Sequence, residues 1–102
     1  MLYVDGEWRG SHSGSSFEVI NPATGEPIGD VADGNSQDAA EAILAASVAF
    51  NGWSRFTAFQ RSEYLHRVYQ LMIERKEVLA RLMTEEQGKP LKAARNEVQY
   101  AA

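Results

Sequence analysis

Short runs of apolar, β-favouring residues near the start of the chain predict two β-hairpins. Residues 2–9 form the first, because Asp5-Gly6 between two such runs is typical of a type I′ turn. The second joins Phe17–Ile20 to Ile28–Val31 through a turn at residues 21–27 that contains Pro and Gly. Hairpins of this length are marginal in water, so we expect both to pack against another surface.

From residue 36 the apolar positions recur every three or four residues, which predicts a helix. Ser36 is the predicted N-cap, and Asp38 and Glu41 follow in the first turns, where the helix dipole favours acidic residues. One stripe that is rich in alanine continues the pattern: Ala39, Ala42, Ile43, Ala46, Ala49, Phe50 and Trp53. So many small residues indicate a close approach to another backbone.

A second helical region begins after Thr57, which forms a capping-box pattern with Gln60. Its apolar face comprises Leu65, Val68, Met72, Leu79, Leu82 and Met83. Arg75 falls on that same face, beside further charged residues. We therefore predict a break near residues 75–77, which divides the region into helices of about 18 and 11 residues.

The stretch from Thr84 to Leu91 predicts a turn between two helices. Gly88 suits the position after a helix because it adopts positive φ without a Cβ penalty, and Pro90 suits the first position of the next helix. The last helix then carries Leu91, Ala94, Val98 and Ala101 on one side. It reaches the end of the chain without a stop signal, so we expect it to continue in a longer parent protein.

Composition narrows the function classes without choosing one. The 102 residues carry a net charge of −4, and basic residues alternate with acidic ones, which disfavours a nucleic-acid partner. The absence of cysteine excludes disulfides, thiolate metal sites and a cysteine nucleophile within the chain. There is no signal-peptide pattern and no apolar run of membrane-spanning length, so the expected location is cytoplasmic, with no membrane partner.

Few residues offer chemistry of their own. Glu63 and His66 have a helical spacing that metal sites use, but no second His lies within reach, and a solvated pair is the preferred interpretation. Glu85 and Glu86 are adjacent and point in different directions, so they are not a paired acid and base. For Lys89 we favour a structural role near the helix end. The residues alone therefore predict a small α+β unit without an active site.

Four ordered stretches nevertheless resemble the N-terminal part of the aldehyde dehydrogenase superfamily: Tyr3–Trp8, Asn21–Glu26, Ala45–Phe50 with Trp53, and Glu86–Pro90. Arg61, Leu65, Glu74 and Leu79-Ala80 also fall where that family has such residues. The run from Gly88 to Val98 is similar to bacterial succinate-semialdehyde dehydrogenases. Each motif is weak alone, but the ordered set covers essentially the whole chain.

The resemblance implies an α/β parent enzyme with a Rossmann-type cofactor domain, in which residues 1–102 form the N-terminal part (hairpins in 1–32, helices in 36–102). Such an enzyme oxidises an aldehyde, such as succinate semialdehyde, to a carboxylate with NAD or NADP, and is expected to be a homo-oligomer. Its nucleophilic Cys, its base, its oxyanion Asn and its nucleotide-binding residues are all absent from this chain. No catalytic or cofactor-binding residue is therefore predicted here, and the isolated chain is expected to be inactive.

The resemblance also implies two minor sites. A structural alkali cation, Na⁺ or K⁺, is expected at the carbonyls of Val19 and Ile20 and at Glu86, where the family often has Asp. Glu97 and Tyr100 are expected in the wall of the substrate tunnel. The alternative hypothesis is a standalone helical interaction module without catalysis, which predicts a closed core with polar outer faces. A nucleic-acid binder is a third and disfavoured possibility.

Overall fold

A computed structural model describes residues Met1–Ala102 and contains four short strands followed by four helices. The strands are β1 (Leu2–Val4), β2 (Glu7–Arg9), β3 (Ser16–Ile20) and β4 (Pro27–Ala32). The helices are α1 (Ser36–Trp53), α2 (Ala58–Glu74), α3 (Lys76–Gln87) and α4 (Leu91–Ala101). Two hairpins followed by four helices confirm the predicted fold of the chain.

The chain divides into two compact units, each of which is built from two separate stretches of the sequence. Unit 1 comprises Met1–Val19 and Gly29–Phe56, and unit 2 comprises Ile20–Ile28 and Thr57–Ala102. Unit 1 therefore contains the first hairpin and α1, whereas unit 2 contains the tip of the second hairpin and the three remaining helices. No helix of either unit is both long enough and apolar enough to cross a membrane.

The first hairpin has the predicted turn. Asp5 and Gly6 have φ of 53° and 84°, the two positive values that a type I′ turn requires. The antiparallel register pairs Leu2 with Arg9, Tyr3 with Trp8, and Val4 with Glu7. The rings of the middle pair lie 5.0 Å apart at an angle of 52°, so an aromatic cross-strand contact stabilises the hairpin.

The second hairpin also turns where the sequence predicts. At its tip the Asn21 amide donates to the Glu26 carbonyl (2.9 Å), and the Gly25 amide donates to the Asn21 carbonyl (2.8 Å). Gly25 has φ 76°, which explains why a glycine occupies this position. Each strand begins one residue earlier than predicted, at Ser16 and at Pro27.

The predicted N-cap of α1 is wrong by one residue. Asn35, not Ser36, caps the helix: its Oδ1 accepts from the amides of Gln37 (2.8 Å) and Asp38 (3.1 Å). The Asp38 carboxylate accepts from the Asn35 amide in return (3.0 Å), which completes a capping box. The physical reason is the residue three positions after each candidate cap. Asp38 follows Asn35 at that distance and can complete a capping box, whereas Ala39 follows Ser36 and cannot.

The helical boundaries after α1 follow the prediction. Thr57 accepts from the Gln60 amide (3.3 Å), and Gln60 Oε1 accepts from the Thr57 amide (2.9 Å), so this capping box is confirmed. The chain leaves helical geometry at Arg75, where φ is −95° and ψ is 13°. The helices on either side have 17 and 12 residues.

A small core lies between α3 and α4 in unit 2. Its buried members are Ala80, Ala94 and Val98, with Leu79, Met83 and Leu91 partly buried around them. Two polar contacts flank it: Arg95 donates to Glu77 through Nε (2.7 Å) and Nη2 (2.9 Å), and Lys76 donates to Gln99 (3.0 Å). These pairings run in opposite directions along the chain, so α3 and α4 form an antiparallel helical hairpin whose alanines permit close approach.

Unit 1 has no buried hydrophobic residue. Its buried residues are Ser11 and Asp38, both polar, whereas the apolar side chains Ile43 and Phe50 of the predicted α1 stripe are exposed. The small members of the stripe face the first hairpin, where Ala42, Ala46 and Ala49 line a groove with Tyr3 and Val4, whereas these two larger side chains do not. The two units are therefore held together internally by different kinds of interaction.

Candidate functional site

The turn between α3 and α4 is built around Gly88. Its amide donates to the Thr84 carbonyl (2.8 Å), which closes α3, and its φ of 70° lies in the left-handed region. A Cβ at this position would lie 3.1 Å from Cγ of Pro22, closer than carbon atoms normally pack. Both the backbone conformation and the neighbouring proline therefore favour glycine here.

Pro90 is an N-cap and not the first helical residue as predicted. Its φ of −53° is helical, but its ψ of 131° is extended, and α4 begins at Leu91. Its carbonyl accepts from the amides of Ala93 (2.8 Å) and Ala94 (3.0 Å), which is the function of a residue at the N-cap. The missing amide hydrogen of proline costs nothing at this position.

Lys89 lies between the two helices and forms an ion pair with Glu97 on α4. The structural role expected for Lys89 is therefore found, although its partner is a carboxylate on the next helix and not the carbonyls at the end of α3. The pair holds the Glu97 carboxylate toward the turn. Lys89 of the Glu86–Pro90 stretch and Glu97 of α4 therefore link the turn to the helix that follows it.

The two predicted tunnel residues lie on α4, and they differ in their surroundings. Glu97 lines a groove of about 280 Å³ together with Glu86. The rest of the lining includes the apolar residues Met72, Leu79, Leu82, Met83, Val98 and Ala101. Tyr100 does not line this groove, and its side chain is 93% exposed. The structure thus brings Glu86 and Glu97 together and leaves Tyr100 available to a surface outside the chain.

The residues predicted to hold an alkali cation occupy different parts of the chain. Val19 belongs to unit 1, whereas Ile20 and Glu86 belong to unit 2. Within unit 2 the proximity of Pro22 to Gly88 brings the turn after Ile20 next to the end of α3. No group of three or more His, Cys, Asp or Glu residues capable of holding a metal is present. A cation here would depend on backbone carbonyls and one carboxylate, an oxygen set that suits a hard monovalent ion.

His66 contacts neighbours on its own helix rather than Glu63. The His66 ring lies 3.2 Å from the Gln70 amide nitrogen and stacks on Tyr69, with ring centroids 5.7 Å apart. Both contacts are within one exposed helix face. The preferred interpretation of a solvated side chain therefore agrees with the structure.

Asp38 has a larger structural role than the sequence analysis assigned to it. It was interpreted only as a favourable charge near a helix start, yet it is 5% exposed and joins α1 to the loop after β2. Its carboxylate accepts from the amides of Asn35 (3.0 Å) and His12 (2.9 Å). These backbone hydrogen bonds, that of Asn35 first, lower the pKa of Asp38 below its ordinary value. The asparagine three residues earlier is the signal that could have identified it.

A second polar contact adjoins this aspartate. Arg9 Nη1 lies 2.7 Å from Glu41 Oε2, which ties β2 to α1. The Nε and Nη2 atoms of Arg9 are buried and have no hydrogen-bond partner. Because a buried, unpaired donor is unfavourable, this contact orients the hairpin at some cost in free energy.

The groups described above have structural roles in this chain: they cap helices, form ion pairs or line the groove. The chain has no cysteine, and the carboxylates of Asp38, Glu41 and Glu97 are engaged in a cap or in ion pairs. The geometry supports a scaffold that presents Glu97 and Tyr100 on one helix beside a glycine-containing turn.

Comparisons with known proteins show which family this chain resembles. The model of the aldehyde dehydrogenase family matches residues 8–102. The glutarate-semialdehyde dehydrogenase of Pseudomonas putida is 48% identical over 98% of this chain and 21% of its own length. The NADP(+) succinate-semialdehyde dehydrogenase of Escherichia coli is 41% identical over 97% of this chain and 20% of its own length.

The same similarity extends to three dimensions. The crystal structure of succinate-semialdehyde dehydrogenase from Burkholderia pseudomallei superposes with a TM-score of 0.94 at 43% identity. The superposition covers 97% of this chain and 20% of that protein. The chain therefore spans about a fifth of the length of the relatives that it matches.

Proposed function

The chain belongs to the aldehyde dehydrogenase family, and we propose that it is the N-terminal part of an NAD(P)-dependent enzyme that oxidises an aldehyde to a carboxylate. The observation that carries the proposal is the superposition of nearly the whole chain on one fifth of a succinate-semialdehyde dehydrogenase. The names of the relatives favour a small semialdehyde that carries one carboxylate besides its aldehyde group. The choice between succinate and glutarate semialdehyde stays open.

In this proposal the chain supplies structure to an active site that other residues complete. A nicotinamide cofactor bound by the remaining enzyme would accept a hydride from the substrate. The residues of this chain hold the helix α4 at a fixed angle to α3 through Gly88 and the buried pair of Ala80 and Ala94. The isolated chain has no cysteine to act as the nucleophile and is expected to be inactive.

We propose Glu97 and Tyr100 as residues of the substrate tunnel wall. Tyr100 is almost fully exposed on α4, so its side chain is free to contact a surface supplied by the rest of the enzyme. Glu97 would repel a substrate that carries a carboxylate if its charge were unpaired. Its ion pair with Lys89 offsets that charge, so the pair is compatible with a semialdehyde passing near α4.

An alkali-cation site at Ile20 and Glu86 is a further part of the proposal. The proximity of the turn after Ile20 to the end of α3 supports it, and so does the preference of Na⁺ and K⁺ for oxygen ligands. The expected effect is a rise in thermal stability of the enzyme in Na⁺ or K⁺ compared with choline at equal ionic strength. Glu86→Gln should reduce that difference, and an equal response of both proteins would contradict the site.

A chimera tests the main proposal. The matching fifth of the Burkholderia enzyme is replaced by this chain, and aldehyde-dependent formation of reduced nicotinamide is measured with succinate and glutarate semialdehydes. The chimera is expected to be active with at least one of them, whereas the 102-residue chain alone shows no activity. A folded but inactive chimera, or activity of the isolated chain, would contradict the proposal.

The alternative of a standalone interaction module is less well supported. It predicts polar outer faces over a closed core, whereas large apolar side chains on α1 and α2 are exposed. A homo-oligomeric assembly, partnership with the remaining enzyme, and a cytoplasmic location belong to the proposal and follow from the family resemblance.

A further inference from the structure

The backbone of Lys89 is fixed by the residues on either side of it. Gly88 closes α3 through its amide and has a φ of 70°. Pro90 has a φ of −53°, and a proline restricts the residue before it to an extended conformation. The side chain of Lys89 is 30% exposed, which is low for a lysine. Because the side chain starts from a fixed point and is partly sheltered, it loses less freedom in an ion pair than a mobile surface lysine does.

Lys89 is the cation that pairs with Glu97. Its Nζ contacts Glu97 Oε2, eight residues further along the chain and about two turns into α4. The two other basic residues of α4 do not compete for this carboxylate. Arg95 binds Glu77 (2.7 Å), and Lys92 is exposed and forms no ion pair. The charge of Glu97 is therefore offset from the turn and not from the helix that carries it.

The Glu97 carboxylate belongs to a groove whose lining is mostly apolar. Glu86 is the other carboxylate in this lining, and Met72 and Leu82 are among its apolar members. Apolar surroundings strengthen the field of an unpaired charge, so an unpaired Glu97 would disfavour an anion nearby. Lys89 does not line the groove. It therefore offsets the charge of Glu97 without narrowing the space beside it.

We propose that Lys89 determines substrate specificity: by neutralising Glu97 it allows an aldehyde that carries a carboxylate to pass α4. The inference rests on the proposed function, in which Glu97 lies in the wall of the substrate tunnel. Lys89 acts through Glu97 and does not touch the reacting atoms, so it is a positioning residue. Loss of its charge should shift the preference of the enzyme from anionic to uncharged aldehydes.

A purely structural use of the same ion pair makes a different prediction. If the pair only fastens the turn to α4, removal of either partner releases the same contact and should affect all aldehydes alike. If the pair balances charge, the two removals differ in sign. Loss of Lys89 leaves an unpaired negative charge in the wall, whereas loss of the Glu97 carboxylate leaves an unpaired positive charge.

The test uses the chimera described above, with two aldehydes that differ in charge. Butanal is succinate semialdehyde with a methyl group in place of the carboxylate, and pentanal corresponds in the same way to glutarate semialdehyde. The variants are Lys89→Met, Glu97→Gln and the combination of both. Lys92→Met is the matched control, because it removes the same charge from an exposed position of α4. KM and kcat are measured separately at fixed K⁺ concentration and ionic strength, so that the surroundings of Glu86 stay constant.

Lys89→Met should raise the KM of succinate semialdehyde roughly fivefold to tenfold, with the KM of butanal and both kcat values nearly unchanged. Glu97→Gln should lower the KM of succinate semialdehyde. The combined variant should return the ratio of the two KM values close to that of the wild type, because its wall is again neutral. Lys92→Met should match the wild type.

Two results would overturn the inference. One is an equal change for both aldehydes in Lys89→Met and Glu97→Gln, which would reduce the pair to a fastening. The other is an effect of Lys92→Met as large as that of Lys89→Met, which would show a response to net charge alone. Circular dichroism establishes that each variant retains its helices.

Failure of the specificity inference is distinguishable from failure of the proposed activity. An active chimera without the opposite shifts contradicts the specificity inference alone. A folded chimera that oxidises no aldehyde contradicts the proposed activity, and calorimetric titration with succinate semialdehyde then decides the role of Lys89. Glu97→Gln should bind more tightly than the wild type, and Lys89→Met more weakly. Equal affinities, or no binding to any of the three, would overturn the inference.

Discussion

Units 1 and 2 are of similar size but are stabilised by different interactions. Unit 2 has a buried apolar contact between α3 and α4, centred on Ala80, Ala94 and Val98. Unit 1 buries only Ser11 and Asp38, and its helix α1 is fixed by a capping box and an ion pair. Polar contacts orient elements but contribute little net stability, whereas apolar burial contributes most of it. Unit 2 should therefore be the more stable of the two, and unit 1 should depend on a partner.

The largest effect is expected from overpacking the core of unit 2. Ala94→Leu inserts a larger side chain where Ala94 is fully buried, and should lower the free energy of unfolding by about 1–3 kcal/mol. Urea denaturation followed by circular dichroism measures the change. Ala93→Leu, one residue away on an exposed position of α4, is the control and should leave stability nearly unchanged.

Gly88→Ala should have the next largest effect. The substitution strains a backbone with φ 70° and brings a methyl group to 3.1 Å from Pro22, so we expect a loss of about 1 kcal/mol or more. Gly52→Ala is its counterpart in unit 1. It adds a methyl group to the last turn of α1, where nothing lies within 4 Å, and should raise helix stability by about 0.5 kcal/mol. Equal effects of the two changes would contradict the assigned conformations.

Removing the cap of α1 should affect unit 1 selectively. Asn35→Ala eliminates the side-chain oxygen that accepts from two amides, at a cost of about 1 kcal/mol to the helix. Hydrogen exchange should show faster exchange in the first turns of α1 and no change in α4. Ser36→Ala is the control, since Ser36 was the predicted cap and makes no capping hydrogen bond.

The smallest effect concerns pH. The pKa of Asp38 is lowered in the folded protein, so the ionised carboxylate stabilises unit 1 at neutral pH. That contribution is present above the ordinary pKa of an aspartate and is lost as the pH falls through the lowered value. Asp38→Asn should therefore flatten the acid side of the stability profile of α1. An unchanged profile would show that the hydrogen bonds to Asn35 and His12 do not act as described.

Glu77 makes the stability of unit 2 sensitive to acidic pH in the same way. The hydrogen bond from Arg95 lowers the pKa of Glu77, so this exposed pair also weakens as the pH falls. A surface ion pair contributes modestly, and salt should reduce its effect. Glu77→Gln should consequently lower the free energy of unfolding less than Ala94→Leu does. Because both residues belong to unit 2, the two values compare a polar with an apolar contribution within the same unit.

Local signals made much of the fold predictable. The Asp5-Gly6 turn, the Thr57 capping box and the break at Arg75 each depend on a few neighbouring residues, and each was identified correctly. The N-cap of α1 was missed because Asn35 and Ser36 are both good caps, and only the acid at position 38 decides between them. The exposure of Ile43 and Phe50 on α1 could not be predicted, because periodicity alone does not show which members of an apolar stripe are covered.

Sequence reasoning reached the site only through the family resemblance. Periodicity identified the turn at Gly88 but said nothing of Pro22, which lies 66 positions earlier in the numbering and packs against it. The ion pair between Lys89 and Glu97 likewise joins a turn to a helix across eight residues. Contacts of this kind depend on tertiary structure, so the pattern of residues within one segment cannot predict them.

The most direct test of this account is amide hydrogen exchange of the isolated chain, resolved by helix. We predict that amides of α1 exchange much faster than those of α4, and that α1 becomes protected when the same residues are part of the active chimera. Protection of α1 in the isolated chain equal to that of α4 would contradict the account. It would show that unit 1 is stable by itself and needs no partner.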